Sequence, residues 1–166
     1  MHKFVNIFII ALFVFMGCAA QADKKKELLD QNIQGLLGTP YKWGSIAGEG
    51  LDCSGFTQKV YRRAEIIIPR TVQEQFENGK MVEKKSLEYG DLVFFKSEAR
   101  EDGGCCLFPC IFFNAKVTPT YKLTHVGIYI GDSKFAHSSS SRGVMIDDLS
   151  SSYWQERFVG AKRLLD

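Results

Sequence analysis

Before Tyr89-Gly90 the apolar residues recur at helical spacing, and after it they alternate. Leu28, Leu29, Ile33, Leu36 and Leu37 form one stripe, which predicts a helix over Glu27–Leu37 ended by Gly38. A loop opens at Gly38-Thr39-Pro40-Tyr41-Lys42-Trp43-Gly44-Ser45 and carries two further glycines, Gly48 and Gly50. Asp52 then fits a helix N-cap, with Cys53, Phe56, Val60, Tyr61 and Ala64 on one face of the helix that follows. Pro69-Arg70 leads into a short helix with a Thr71–Glu74 capping box, closed by Gly79. Beyond Gly90 the segments Leu92–Phe95, His125–Ile130, Lys134–Ser138, Gly143–Leu149 and Phe158–Leu164 read as strands. Helices followed by strands predict an α+β fold, with N-terminal helices packed on a five-stranded antiparallel sheet. No internal repeat is visible.

Two segments stand outside this pattern. Met1-His2-Lys3 precedes an apolar run from Phe4 to Met16 broken only by Asn6, which suits the core of a secretory signal and is short for a bilayer span. Two cleavage readings compete. Phe15-Met16-Gly17-Cys18 resembles a lipobox, with Phe15 in place of the usual leucine, and would leave a lipidated Cys18 as the first residue. Ala20-Gln21-Ala22 would serve as an ordinary signal-peptidase site. Either means export to the cell envelope, as a membrane-anchored lipoprotein or a periplasmic protein, with residues 1–22 the signal region and 23–166 the catalytic domain. The second segment is 97–122, a long connection without periodicity that holds Cys105, Cys106 and Cys110. Such an insertion is a tolerated loop with an incidental disulfide, a lid or partner-binding flap, or, least in keeping with its residues, a zinc site that lacks a histidine.

Composition narrows the class. The chain of 166 residues suffices for one domain. Its 21 basic and 19 acidic side chains nearly cancel, with no basic stripe interleaved with aromatics, so nucleic acid is not an expected partner. Export favours paired thiols, so a free Cys53 requires another of the remaining cysteines to stay unpaired.

Cys53 is the chemically informative residue. At a helix N-terminus it faces unpaired N–H groups and the positive end of the peptide dipoles, both of which favour thiolate. An Asp52 cap opposes them, and the backbone and a nearby imidazole are expected to win. Val126, Ile128 and Ile130 alternate with His125, Gly127 and Tyr129, so His125 faces away from the apolar set, and Gly127 on its face would let the Cys53 helix approach. The turn decides whether His137 joins it. A two-residue loop at Gly131-Asp132 pairs His137 with Val126, on the wrong face. A three-residue loop, Gly131 to Ser133, pairs it with Gly127, about 7–8 Å from His125 by Cα. That register permits a relay in which Cys53 attacks a carbonyl, His125 acts as base and then acid, and His137 orients His125. The oxyanion would meet the backbone N–H of Cys53, assisted by the Tyr41 hydroxyl.

Pro40-Tyr41-Lys42-Trp43-Gly44, Leu51-Asp52-Cys53-Ser54-Gly55-Phe56, Pro69-Arg70-Thr71, Gly90-Asp91-Leu92-Val93-Phe94-Phe95, His125-Val126-Gly127-Ile128-Tyr129-Ile130-Gly131, Phe135-Ala136-His137-Ser138-Ser139 and Gly160-Ala161-Lys162-Arg163 occur in that order. Together they resemble the successive signatures of the NlpC-type cell-wall cysteine peptidases, from about Leu36 to Leu164. The resemblance implies a papain-like core, Cys53 as nucleophile, His125 as base, His137 as third member and Tyr41 on the oxyanion side. It implies a cleft lined by Asp52, Ser54, Arg70, Ser138 and Ser139 that grips peptidoglycan stem peptides, with Trp43 supporting its loop. It further implies a monomer, no metal or organic cofactor, and cleavage beside diaminopimelate, at the D-glutamyl bond or at a cross-link. An amidase or acyltransferase using the same thiolate, or a silent wall-binding lipoprotein, is the alternative. Ser45 departs from the glycine common after Trp43-Gly44, and 97–122 replaces a short link, which leaves substrate choice open.

Overall fold

The structure, a computed structural model, describes residues 23–46, 49–97 and 122–165. The leader, Cys18 and the cysteines at 105, 106 and 110 lie outside them. Helix α1 spans 23–34, starting four residues before the expected boundary. It buries Leu29 and Ile33 completely. Gly38, at φ +77°, then turns the chain, and reciprocal backbone bonds between Gly38-Thr39 and Val144 pin the following loop to the sheet. Helix α2, Cys53–Arg63, starts at an Asp52 cap whose carboxylate accepts from Gly55 N–H, and it buries Phe56, Val60 and Tyr61 completely. Burial of such side chains stabilises by roughly 1.5–3 kcal/mol each, which anchors the end that carries Cys53. Helix α3, Val72–Glu77, carries the expected Thr71–Glu74 capping box.

The sheet has six strands rather than five. They are β1 (Lys80–Val82), β2 (Leu92–Lys96), β3 (Leu123–Gly131), β4 (Lys134–Ser139), β5 (Gly143–Asp148) and β6 (Phe158–Arg163), in the order β1-β6-β2-β3-β4-β5 with antiparallel pairing. The added strand, β1, is three residues long, too short to show alternation. A short helix α4, Ser152–Arg157, also lies where no helix is expected from the sequence. Both faces of the sheet are covered. The helices α1 and α2 pack on Leu92, Phe94, Val126, Ile128, Ala136 and Val144. Val93, Phe95, Phe135, Leu149 and Ala161 form a second core on the opposite face, with Trp154 and Phe158 against it.

The β3–β4 register is the three-residue-loop alternative, reached by a different turn. Ile128 pairs with Ala136 and Tyr129 with Phe135, with an irregularity between Tyr129 and Gly131. Asp132 and Ser133 both take positive φ, 49° and 56°, so the tight turn is a two-residue one and the extra residue is a bulge on β3. The same pairing carried one step further sets His137 opposite Gly127, on the face of His125.

Candidate active site

Cys53 is the first residue of α2, a free thiol and only 7% exposed. The N–H groups of Val126, Ser54 and Cys53 itself favour its thiolate, but burial first, and the Asp52 carboxylate second, push the thiol pKa up. The expected resting thiolate is therefore corrected: the cap and the low dielectric outweigh the helix end. Asp52 is held by Arg70, at 3.1 and 2.5 Å, and Ser54 Oγ accepts from the same guanidinium at 2.7 Å. Asp52, Ser54 and Arg70 thus form one network at the base of α2.

His125 on β3 and His137 on β4 meet ring to ring, with Nε2 of His125 at 2.8 Å from Nδ1 of His137. His137 Nε2 in turn lies 3.1 Å from Oδ2 of Asp147, on β5. A carboxylate only accepts, so His137 carries its proton on Nε2. Burial pushes His137 down and outweighs the opposing Asp147 carboxylate, so the ring is neutral and its Nδ1 accepts from His125 Nε2–H. That leaves His125 Nδ1 as the unprotonated nitrogen. Burial, with His137 adding to it, brings His125 to about 3, so it too is neutral at rest. Trp154 stacks on His125, ring centroids 5.5 Å apart and 22° between planes, while its Nε1–H donates to Asp147 Oδ2 at 3.2 Å.

Helix α2 does not pack on the histidine face. It covers the Val126 and Ile128 side of the sheet, while His125 and His137 lie among Phe95, Phe135 and Trp154 on the other. The sulfur lies at the strand end, where Cys53 Sγ is 4.0 Å from the backbone oxygen of Thr124, the residue before His125. Gly127 accordingly makes room within the sheet rather than for the helix. A Cβ there would lie 2.6 Å from Phe135 Cδ2 and 3.1 Å from His137 Cβ.

Cys53, His125 and His137 open on one cleft of about 1040 Å³, lined also by Tyr41, Trp43, Ser139, Arg142, Asp147, Tyr153 and Trp154. Backbone bonds from Leu51 N to Pro40 O and from Lys42 N to Leu51 O hold Tyr41 beside the start of α2. Burial and the neighbouring Cys53 and Asp52 raise Tyr41, so its hydroxyl keeps the proton that an oxyanion would accept. Trp43 is 87% exposed, so it faces the cleft instead of supporting its loop. Ser138 is fully buried and donates to Leu51 O at 2.7 Å. Of the five residues expected to line the cleft, Ser139 does. Asp52, Ser54, Arg70 and Ser138 brace the loop and helix that carry Cys53. Ser97, at one end of the 97–122 connection, lines the cleft, as does Thr124 just beyond the other end, and Lys96 and Leu123 are paired neighbours.

The sequence reading missed Asp147, Arg142 and Trp154. The β4–β5 register would have exposed the first, since Phe135 pairs with Asp147 and His137 with Met145, placing Asp147 diagonal to His137. Residues 38–106 and 110–163 match the model of the NlpC/P60 family. The chain belongs to that family. Among NlpC/P60 relatives, the gamma-DL-glutamyl hydrolase of Bacillus subtilis is 37% identical over 147 residues, covering 87% of this chain and 31% of the relative. The murein DD-endopeptidase MepS/murein LD-carboxypeptidase of Escherichia coli K12 is 33% identical over 152 residues, 91% of this chain and 69% of the relative. The crystal structure of an NlpC/P60 family protein from Bacillus cereus superposes with a TM-score of 0.68 at 34% identity, covering 85% of this chain and 40% of that one. This chain thus spans less than half of two of these three proteins and about two thirds of the other.

Proposed function

We propose that this protein is a cysteine peptidase that hydrolyses peptide bonds of peptidoglycan stems. The observation that carries the reading is the chain of contacts from His125 through His137, opening on the same cleft as the free Cys53. The murein endopeptidase and glutamyl hydrolase among its relatives support the substrate class. In the reading, Cys53 Sγ attacks the amide carbonyl carbon as its proton passes to His125 Nδ1. The oxyanion is met by the Cys53 N–H and the Tyr41 hydroxyl. His125 then protonates the departing amine, a thioester remains on Cys53, and His125 draws a proton from the water that resolves it. Neutral resting partners make the first proton transfer part of the attack rather than a step before it.

The bond proposed is one beside diaminopimelate, either the D-glutamyl bond or the cross-link between stems. Asp52, Ser54 and Arg70 contribute by holding the cleft wall, and Ser139 by direct contact with the peptide. Residues 1–22 are proposed as the export region, in which cleavage before Cys18 leaves a lipid on that residue and ties the domain 23–166 to the envelope membrane. Digestion of defined muropeptides by residues 23–166, with products separated and weighed, tests the function. One new amine and one new carboxylate at a single bond, absent with Cys53→Ala, is the expected result. Transfer products without net hydrolysis would make it an acyltransferase. Binding without turnover would make it a wall-binding protein.

A further inference from the structure

The relay does not end at the second imidazole. The geometry points to Asp147 as a positioning residue that holds the Nε2 proton of His137 and thereby fixes the tautomers of both rings; the inference rests on the cysteine-peptidase reading above. Oδ2 of Asp147 accepts from His137 Nε2–H at 3.1 Å, from Trp154 Nε1–H at 3.2 Å and from the Arg142 guanidinium at 3.2 Å. Arg142, on the turn between β4 and β5, also reaches Oδ1 at 3.4 Å. These three donors hold the carboxylate in place against His137, whose side chain is 1% exposed.

The consequence is directional. With Asp147 accepting at Nε2, a neutral His137 has only an acceptor at Nδ1. His125 must then donate from Nε2, which leaves its Nδ1 as the unprotonated nitrogen that the proposed attack uses. Without the carboxylate, His137 is free to carry its proton on Nδ1 and donate to His125 Nε2. His125 would then hold its proton on Nδ1, where it has to receive the proton of Cys53. Charge acts in the same sense. The imidazolium formed on His125 during attack is buried, and the hydrogen-bonded line from it ends, one ring away, at the Asp147 carboxylate. Arg142 faces the cleft as well as Asp147, so the same side chain that steadies the carboxylate also offsets part of its charge.

Asp147→Asn and Asp147→Glu in residues 23–166 test this, read by long-range ¹H–¹⁵N correlation of the histidine rings, by the rate at which iodoacetamide alkylates Cys53, and by kcat and KM on a muropeptide. In the wild-type protein both rings should show the proton on Nε2. Asp147→Asn should mix or reverse the tautomer of at least one ring and slow Cys53 alkylation. It should also lower kcat about 10²-fold with KM little changed, the scale of a general-base contribution. Asp147→Glu should recover part of kcat and the wild-type tautomers. Unchanged tautomers with unchanged alkylation in a folded Asp147→Asn protein would overturn the assignment, as would a loss in KM alone. The ring spectra and alkylation rates need no substrate. If muropeptides prove not to be cleaved, the function fails while Asp147 is still decided.

Discussion

Tyr41 and Arg142 both line the cleft. Because its hydroxyl stays protonated, Tyr41 can donate only as a neutral group, and its removal should affect the transition state more than binding. Tyr41→Phe is expected to lower kcat by about 10²–10³-fold with KM unchanged, measured on the muropeptide that the protein cleaves. Arg142 lowers the His137 pKa through its charge. Arg142→Gln should therefore raise the pH at which the His137 ring titrates, followed by ¹H–¹⁵N correlation, and an unchanged titration would remove Arg142 from the relay's electrostatics. At this scale the sequence was legible where motif and register agreed: that Cys53, His125, His137 and Tyr41 meet at one cleft could be read from it. Asp147 was not, because the alternation of Val144 and Ile146 marks only the core face, and its partner residues depend on a turn at 140–142 whose length has to be known first. Nor was the raised Cys53 thiol, since helix position is visible in sequence and depth of burial is not.

The β3–β4 hairpin is the element on which the site depends. Its register follows from Asp132 and Ser133 in the left-handed region and from one bulged residue, whereas Gly131-Asp132-Ser133 read as a three-residue loop. The two turns give the same pairing, which is why the expected meeting of the histidines holds although the turn differs. Gly127 keeps that hairpin flat enough for Phe135 and His137 to lie across it. Gly127→Ala would bring a Cβ to 2.8 Å from the backbone oxygen of Ala136, which cannot swing aside. A loss of about 1–3 kcal/mol in urea-monitored unfolding is expected, together with lower kcat, as overpacking shifts His137. The capping box of α3 and the Asp52 cap of α2 were readable because each is a local bond between named residues. Strand β1 and helix α4 were not, being short elements held by the strands they pack on.

Over the whole molecule, the site stores a pH dependence. In the unfolded chain His125 takes a proton near its ordinary value of 6.5, while in the fold it does so only at about 3. Between those values the unfolded state binds more protons, so stability is full above about 6.5 and falls as pH drops toward 3. His137, lowered in the same direction, adds to the effect. The melting temperature should fall over that window, and His125→Gln should flatten part of the slope; an identical slope would show that the ring is not held neutral by burial. The α+β class and the order of elements were legible because period changes once along the chain. Which face the helices cover was not, since both faces of the sheet are apolar and the histidines lie within the second. The account stands on Cys53 as the nucleophile of that second face's imidazoles. Progressive alkylation with iodoacetamide, scored by peptide mapping at Cys53 and by residual muropeptide cleavage in the same samples, tests it most directly. Activity should fall in proportion to Cys53 modification and vanish when it is complete. Cleavage that persists in protein fully alkylated at Cys53 would contradict the account.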